Sequence, residues 1–234
     1  MKFKQFKFKK VKSTNNTAIR IIKSSNFKYG MVISDTQTMG KGQFGKKWIS
    51  HKGNLFVSFF YELKNIKPSL PRLTKINCLL IKKLLKNYYK KNITFKKPND
   101  LLIQKKKISG ILQEIISIFD DKFLIVGIGI NIKKSPKIRN YPTTSLDELT
   151  SKTISKRDVE NKLKLIFERN YLKMYKLNNV VVSGGHYVLH NNNWILVSDH
   201  PDRIIINNYD KDYLYCINTT SKRIFINNTV FMDW

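Results

Sequence analysis

Phenylalanines and lysines interleave at the start of the chain, Phe3, Phe6 and Phe8 among Lys2, Lys4, Lys7, Lys9 and Lys10. That pattern predicts a first strand with one buried face. Ser13-Thr14-Asn15 then supplies N-cap chemistry for a helix over about residues 16–23. An apolar stretch at 31–34 reads as a short strand leading into a glycine loop. The β-branched and aromatic run at 55–63 is a strand. Pro71 opens a helix to about residue 89, with Leu73, Ile76, Leu80, Leu84 and Tyr88 at helical spacing.

A strand-rich stretch follows at 93–95, 101–103, 108–118 and 123–132, the last two joined at Asp120-Asp121. A further helix is predicted over 156–175, with Val159, Leu163, Ile166 and Tyr171 facing inward. Beyond Val180 the texture changes to short strands at 194–197, 203–207, 213–218 and 223–230, divided by Asn, Asp and Gly turns. These resemble a small β-barrel or β-appendage. The junction falls in the Asn-rich segment 178–193, which carries Gly184-Gly185. No internal repeat or long linker is evident.

Composition sharpens this picture in three ways. A chain of 234 residues, 41% hydrophobic, can bury one sizeable core and is not wholesale disordered. Its 44 Lys+Arg against 16 Asp+Glu give a formal charge of +28, which taken alone suggests a polyanionic partner. Nearly all these cations are lysines spread along a chain also rich in Asn, Ile, Phe and Tyr, residues that share A/T-rich codons. Codon composition therefore accounts for the excess ahead of a nucleic-acid footprint, which would be clustered. Cys78 and Cys216 lie far apart without ligand spacing and are expected to be reduced and buried. The basic N-terminus lacks an apolar h-region, and no run approaches the roughly 20 residues that span a bilayer. A soluble, cytoplasmic protein is the expectation.

Candidate chemistry centres on two segments. The first is Gly40-Lys41-Gly42-Gln43-Phe44-Gly45-Lys46-Lys47-Trp48, a glycine loop whose N–H groups and cations can surround anionic oxygen. Its Gly-x-Gly-x-x-Gly spacing matches a dinucleotide fingerprint, but no helix is expected to open there and no acidic residue follows at the required distance. Protein-kinase elements are absent as well. A solvated hairpin tip would have the same composition. Nearby, Gln37 and Ser13, Thr14 and Asn15 offer small polar groups suited to a neutral hydrogen-bonding ligand such as a cyclic urea, or to helix capping.

The second segment is Lys96-Lys97-Pro98-Asn99-Asp100, a turn with a lysine, an amide and a carboxylate. It is followed by Lys107-Ile108-Ser109-Gly110-Ile111-Leu112-Gln113-Glu114. Gly110 inside an apolar strand suggests close approach of a ligand or of backbone, and Gly127-Ile128-Gly129-Ile130-Asn131 repeats that logic. A bulge or a sheet crossing would also place glycines there.

Taken in order, Ser13–Asn15, Gln37, Gly40–Trp48, Lys96–Asp100, Lys107–Glu114 and Gly127–Asn131 resemble the biotin–protein ligases, of the monofunctional type without a DNA-binding domain. The likeness covers residues 10–135 with specific motifs and 140–175 loosely, through Thr144-Ser145-Leu146. It implies an α/β (α+β) fold. A catalytic domain over residues 1–180 would be built on a mixed β-sheet flanked by helices, and a small SH3-like β-domain would occupy 181–234. It implies ATP-dependent activation of biotin as biotinyl-5′-AMP with Mg²⁺, then transfer to a lysine of a biotin carboxyl carrier domain of acetyl-CoA carboxylase or a related carboxylase.

By position, the resemblance gives biotin to Ser13, Thr14, Asn15, Gln37, Gly40, Lys41, Gly42, Gln43, Lys107 and Gly110. It gives catalysis to Lys107, Lys41 and Lys96. ATP or the adenylate falls to Lys46, Trp48, Asn99 and Asn131, and the metal to Asp100. Trp48 would stack adenine, or else serve as a core anchor. Two departures stand out: Lys41 and Gln43 where the family's loop usually carries arginines, and Lys97 in place of a tryptophan. Loss of the arginine forks removes bidentate phosphate recognition. A lipoate–protein ligase, an inactive homologue and a basic nucleic-acid-binding protein remain the alternatives. No DNA or membrane partner is expected, and a homodimer is left open.

Overall fold

A computed structural model describes the chain except residues 1, 64–69, 151, 173, 178–179, 184–186, 192, 207–222, 227–228 and 233–234. Two compact units emerge, one of residues 3–63 and 68–163, the other of 164–234 with 1–2 and 64–67.

The first unit is organised on a seven-stranded sheet. Its strands are β1 (Lys4–Val11), β2 (Tyr29–Gln37), β3 (Leu55–Glu62), β4 (Thr94–Lys96), β5 (Asp100–Ile103), β6 (Lys106–Ile118) and β7 (Asp121–Ile130), in the order β1-β2-β3-β7-β6-β5-β4. β1 runs parallel to β2 while every other neighbour pair is antiparallel, so the sheet is mixed. The central strands β3 and β7 are nearly continuous apolar runs because both of their faces are covered.

Helix α1 (Thr14–Ser24) lays Ala18 and Ile22 against Val32 of β2, Phe60 of β3 and Phe123 and Ile125 of β7. Burying side chains of this size is worth about 1.5–3 kcal/mol each. Helix α2 (Leu70–Leu85) packs on β5 and β6 and buries Leu80, Ile81 and Leu84. The short α3 (Leu146–Leu149) is closed by a capping box between Ser145 and Glu148, and α4 (Lys156–Phe167) follows.

The second unit contains β8 (Met174–Leu177), β9 (Val180–Ser183), β10 (Tyr187–His190), β11 (Asn193–Leu196), β12 (Ile204–Ile206), β13 (Arg223–Ile226) and β14 (Thr229–Met232). They form antiparallel sheets in the orders β12-β8-β9 and β11-β10-β14-β13.

Several elements differ from the sequence expectation. The Phe/Lys alternation does make β1, but as an edge strand: Phe3 is buried whereas Phe8 is 37% exposed. Its lysines leave the open edge charged, which discourages pairing with another chain. The helix expected to reach residue 175 stops at Phe167. There Asn170 donates to the Ile166 carbonyl at 2.7 Å, the chain turns through a π-helical segment (Glu168–Leu172), and Tyr175 pairs with Ile205. Tyr171 kept the helical period because it still packs on Phe167. The run at 223–230 is a hairpin, β13 and β14, not one strand. The expected strand at 213–218, Gly184-Gly185 and Cys216 lie outside the described residues. Cys78 is buried, and burial pushes its thiol up to about 12, so it is an inert core group. No helix among the described residues is long and apolar enough to cross a membrane.

Candidate active site

One cavity of about 650 Å³ opens in the first unit beside β6 and β7. It gathers Ser13, Thr14, Asn15, Gln37, Lys41, Gly42, Gln43, Lys46, Trp48, Lys96, Asn99, Asp100, Lys107, Gly110 and Asn131 from segments far apart in the chain. Of the residues to which the resemblance gives a site role, Gly40 alone is not in its lining. It lies at the base of the loop, where its carbonyl accepts the Trp48 N–H at 2.9 Å.

The glycine loop is an ordered miniature hairpin. Lys41 and Lys47 form an antiparallel bridge, and the Gly42 N–H donates to the Lys46 carbonyl at 2.6 Å. At the tip Phe44 (φ 55°) and Gly45 (φ 72°) both adopt left-handed backbone, and Phe44 is 88% exposed. The only helical element there is the three-residue turn Gln43–Gly45, so the dinucleotide match has no helix to support it.

One end of the cavity is a fixed hydrogen-bonding array. Ser13 occupies the N-cap of α1, but its side chain does not cap, leaving the hydroxyl beside the cavity. The Thr14 main-chain N–H and hydroxyl both donate to Gln37 Oε1, at 2.8 and 3.1 Å. That fixes the Gln37 amide with Nε2 directed the other way, 3.4 Å from Ser50 Oγ. Asn15 is committed within the protein: Ser58 Oγ donates to its Oδ1 at 2.5 Å, and its Nδ2 donates to Glu114 Oε2 at 2.5 Å and to the Leu112 carbonyl at 3.3 Å. Ser58, fully buried, also lies 2.8 Å from Thr14 Oγ1, so its hydroxyl links the two residues of the array. Asn15 therefore braces the wall, and Thr14, Gln37 and Ser13 face the ligand space.

Gly110 stands opposite Gly129, and Leu112 opposite Gly127, in the β6–β7 register. A Cβ on Gly127 would collide with the Asn15 amide, and one on Gly110 or Gly129 with the Trp48 indole. These glycines thus make room for the protein's own side chains. The close approach read from sequence is that of Trp48 and Asn15, because a pleated surface without Cβ atoms is the only one flat enough to receive them. The Trp48 Nε1–H is buried without a protein acceptor.

The other end is ionic. Lys107 Nζ lies 2.8 Å from Asp100 Oδ1, and the Tyr141 hydroxyl donates to Asp100 Oδ2 at 2.6 Å. Lys96 Nζ stands 4.3 Å from the centre of the Tyr141 ring, and Lys107 Nζ 5.3 Å from that of Trp48. Burial, reinforced by the Asp100 carboxylate, holds the Tyr141 hydroxyl above its ordinary pKa, so it remains a donor. The lining carries Lys41, Lys46, Lys47, Lys96, Lys97, Lys107 and Arg139 against a single acid, Asp100, which makes this an anion-binding wall.

Asn99 and Asn131 act mainly on backbone. Asn99 Nδ2 donates to the Ile111 carbonyl at 2.6 Å in the turn that contains the cis Lys97–Pro98 bond. Asn131 Nδ2 donates to the Thr144 carbonyl at 3.1 Å, and Asn131 Oδ1 accepts from Asn54 at 3.4 Å. Asn54 Oδ1 in turn accepts the N–H groups of Ile132, Lys133 and Lys134. Among the described residues no cluster of three metal-ligating side chains occurs. Mg²⁺, however, commonly takes one or two carboxylates and draws its other oxygens from phosphate and water. Asp100 fits that requirement for an ion accompanying a nucleotide.

Sequence reading did not anticipate Ser58, Asn54 or Tyr141, and it gave no role to Glu114, the last residue of the Lys107–Glu114 motif. A lone serine inside the apolar run of β3 was the one available signal.

A donor-rich neutral end, a glycine and indole floor, and a lysine-rich end thus meet in one cavity, which suits a ligand with a neutral polar head and an anionic tail. Residues 7–131 match the biotin/lipoate A/B protein ligase family, and the chain belongs to that family. It is 29% identical over 167 residues to the bifunctional ligase/repressor BirA of Bacillus subtilis, an alignment covering 68% of this chain and 51% of that protein. The chain thus spans about half the length of that relative. Among solved structures it resembles the biotin protein ligase of Leishmania major in complex with biotinyl-5-AMP, with a TM-score of 0.61, 27% identity, and coverage of 70% of this chain and 72% of the other. It also resembles the ligase of Aquifex aeolicus in complex with biotin and ATP, with a TM-score of 0.58, 25% identity, and coverage of 88% and 99%.

Proposed function

We propose that this protein activates biotin with ATP and transfers the biotinyl group to a lysine of a carrier domain. The observation that carries the reading is the presence, in one cavity, of the Thr14–Gln37 array at one end and Lys107 at the other. A ureido ring presents one carbonyl acceptor and two N–H donors, which match the Gln37 Nε2–H and the hydroxyls of Ser13 and Thr14. The valeryl chain then crosses the floor formed by Trp48 and the glycines. Its carboxylate arrives at Lys107 under the loop that carries Lys41 and Gln43.

In the first half-reaction a carboxylate oxygen forms a bond to the α-phosphorus of ATP, and the bond from that phosphorus to the bridging oxygen breaks, releasing pyrophosphate. The ammonium of Lys107 meets both reacting anions, and Lys41, Lys46 and Lys96 offset the charge that develops on phosphate oxygens. Mg²⁺ held by Asp100 and the nucleotide's phosphates would supply further charge neutralisation. In the second half-reaction the carrier's lysine nitrogen bonds to the acyl carbon, AMP leaves with the bonding pair, and the nitrogen sheds its proton. We further propose that the first unit forms the catalytic domain and the second a separate small β-domain, with the boundary near residue 163 and not at the expected 180, which would cut β9.

Lipoate, whose dithiolane carries no hydrogen-bonding groups, would leave the Gln37 and Ser13 donors unpaired, which a polar site penalises strongly. The test is exchange of labelled pyrophosphate into ATP by the purified protein with biotin, and with lipoate as control. Exchange with biotin alone is expected. Exchange with lipoate alone would reassign the substrate, and none with either acid would sink the reading.

A further inference from the structure

We propose that Tyr141 is a positioning residue for Lys107 and acts on it through Asp100. Tyr141 belongs to the connection between β7 and α3, which is fastened to the main chain of Lys107 itself. The Lys107 N–H donates to the Pro142 carbonyl and the Lys107 carbonyl accepts from Thr144 N–H, both at 2.9 Å, so Lys107 and Thr143 form a parallel bridge. Backbone pairing therefore sets where the Tyr141 ring stands relative to the lysine.

Side-chain geometry completes the arrangement. Asp100 gives one oxygen to each partner, Oδ1 to Lys107 at 2.8 Å and Oδ2 to Tyr141 at 2.6 Å. The Lys107 and Asp100 side chains are only 19% and 14% exposed, so water is a poor substitute for either partner. Oδ1 meets Lys107 as an ion pair without hydrogen-bond alignment, so the Tyr141 hydrogen bond at Oδ2 is what sets the carboxylate's orientation and, through it, the position of Lys107 Nζ. Without the tyrosine hydroxyl, Oδ2 faces a ring and Asp100 turns toward water, loosening its hold on the lysine.

Lys107 and Lys96 both stand over the same ring, at 5.5 and 4.3 Å from its centre. A phenylalanine would retain those contacts. Tyr141→Phe thus isolates the hydroxyl. The catalytic consequence rests on the ligase reading above, whereas the positioning itself does not.

The test is the rate at which an amine-reactive ester acylates Lys107 in the full chain, followed by peptide mass spectrometry with the exposed Lys52 as internal reference. Tyr141→Phe should raise the Lys107 rate at least threefold in the otherwise native protein and have no effect when combined with Asp100→Asn. Equal effects in the two backgrounds, or none in the first, would overturn the proposal. Should Asp100→Asn fail to fold by circular dichroism, Asp100→Glu supplies the second background, where the shifted carboxylate should at least halve the effect.

Pyrophosphate exchange gives the second readout. Tyr141→Phe should lower kcat several-fold and leave the biotin dissociation constant unchanged, a split that general loosening of the fold would not produce. A wild-type protein without exchange would remove the ligase reading, and the acylation comparison would still decide the role of Tyr141.

Discussion

Thr14 places two hydrogen bonds, one from its main chain and one from its hydroxyl, on the same oxygen of Gln37. An amide whose oxygen is twice occupied cannot flip without leaving both donors unmet, so its nitrogen end stays a donor, with one N–H near Ser50 Oγ and the other free to serve a ligand. Gln37→Glu preserves the acceptor for Thr14 and replaces the committed donor with an acceptor. Biotin affinity should fall about 30-fold, roughly 2 kcal/mol, as read by titration calorimetry, with the fold intact. Thr14→Val should cost less, since the main-chain donor to Gln37 remains. Undiminished affinity in Gln37→Glu would remove Gln37 from the binding site.

Lys107 is expected to act on charge that develops during reaction. Lys107→Ala should therefore lower kcat for pyrophosphate exchange by two orders of magnitude or more, while biotin affinity changes much less. Steady-state kinetics alongside calorimetry separates the two quantities. Equal losses in both would make Lys107 a binding group only.

Gly127→Ala offers a test of the floor. The added methyl meets the Asn15 amide, which already has a partner on each of its polar atoms and nowhere to retreat. Overpacking of this kind costs about 2 kcal/mol, so the melting temperature should drop by roughly 4–8 °C. Biotin affinity should fall too, through displacement of the neighbouring Thr14. A variant with the wild-type melting temperature would show that the wall gives way freely.

In the second unit, His200 sets a pH dependence. Burial is the first cause holding its imidazole below the usual pKa, with His190 and Arg203 adding repulsion and Asp202 opposing them. The unfolded chain then binds a proton more readily than the folded one. Stability should be full above the unfolded value of about 6.5 and should decline as pH falls below it toward the lower folded value. Urea midpoints measured from pH 7.5 to 5 should show this slope, and His200→Gln should flatten it. An unchanged slope would assign the dependence to other groups.

How much of this was legible in the sequence depended on how local the cause was. β3 and β7 declare themselves because long apolar runs have few other uses, and Lys96–Asp100 announces a turn through its proline. Asn15 lines the cavity as the resemblance expects, but its bracing role has no local signal, because one of its partners, Glu114, lies 99 residues away. Tyr141 carried no signal for the same reason, as its hydroxyl reaches a carboxylate 41 positions earlier. Asn54 gathers three N–H groups 78–80 residues downstream, a separation that leaves no local signal. The glycines were correctly marked as sites of close approach. Their occupants were not, because spacing along one strand does not reveal which side chain arrives from elsewhere.

Trp48 belongs to two parts of the site at once. Its main chain is bonded to Gly40 at the root of the glycine loop, and its ring covers Gly110 and Gly129 on the sheet. The loop therefore cannot swing outward without lifting the indole, and the indole cannot lift without deepening the channel beneath it. The root of the entrance and the depth of the channel are thus set by one residue, whose main chain belongs to the first and whose ring belongs to the second.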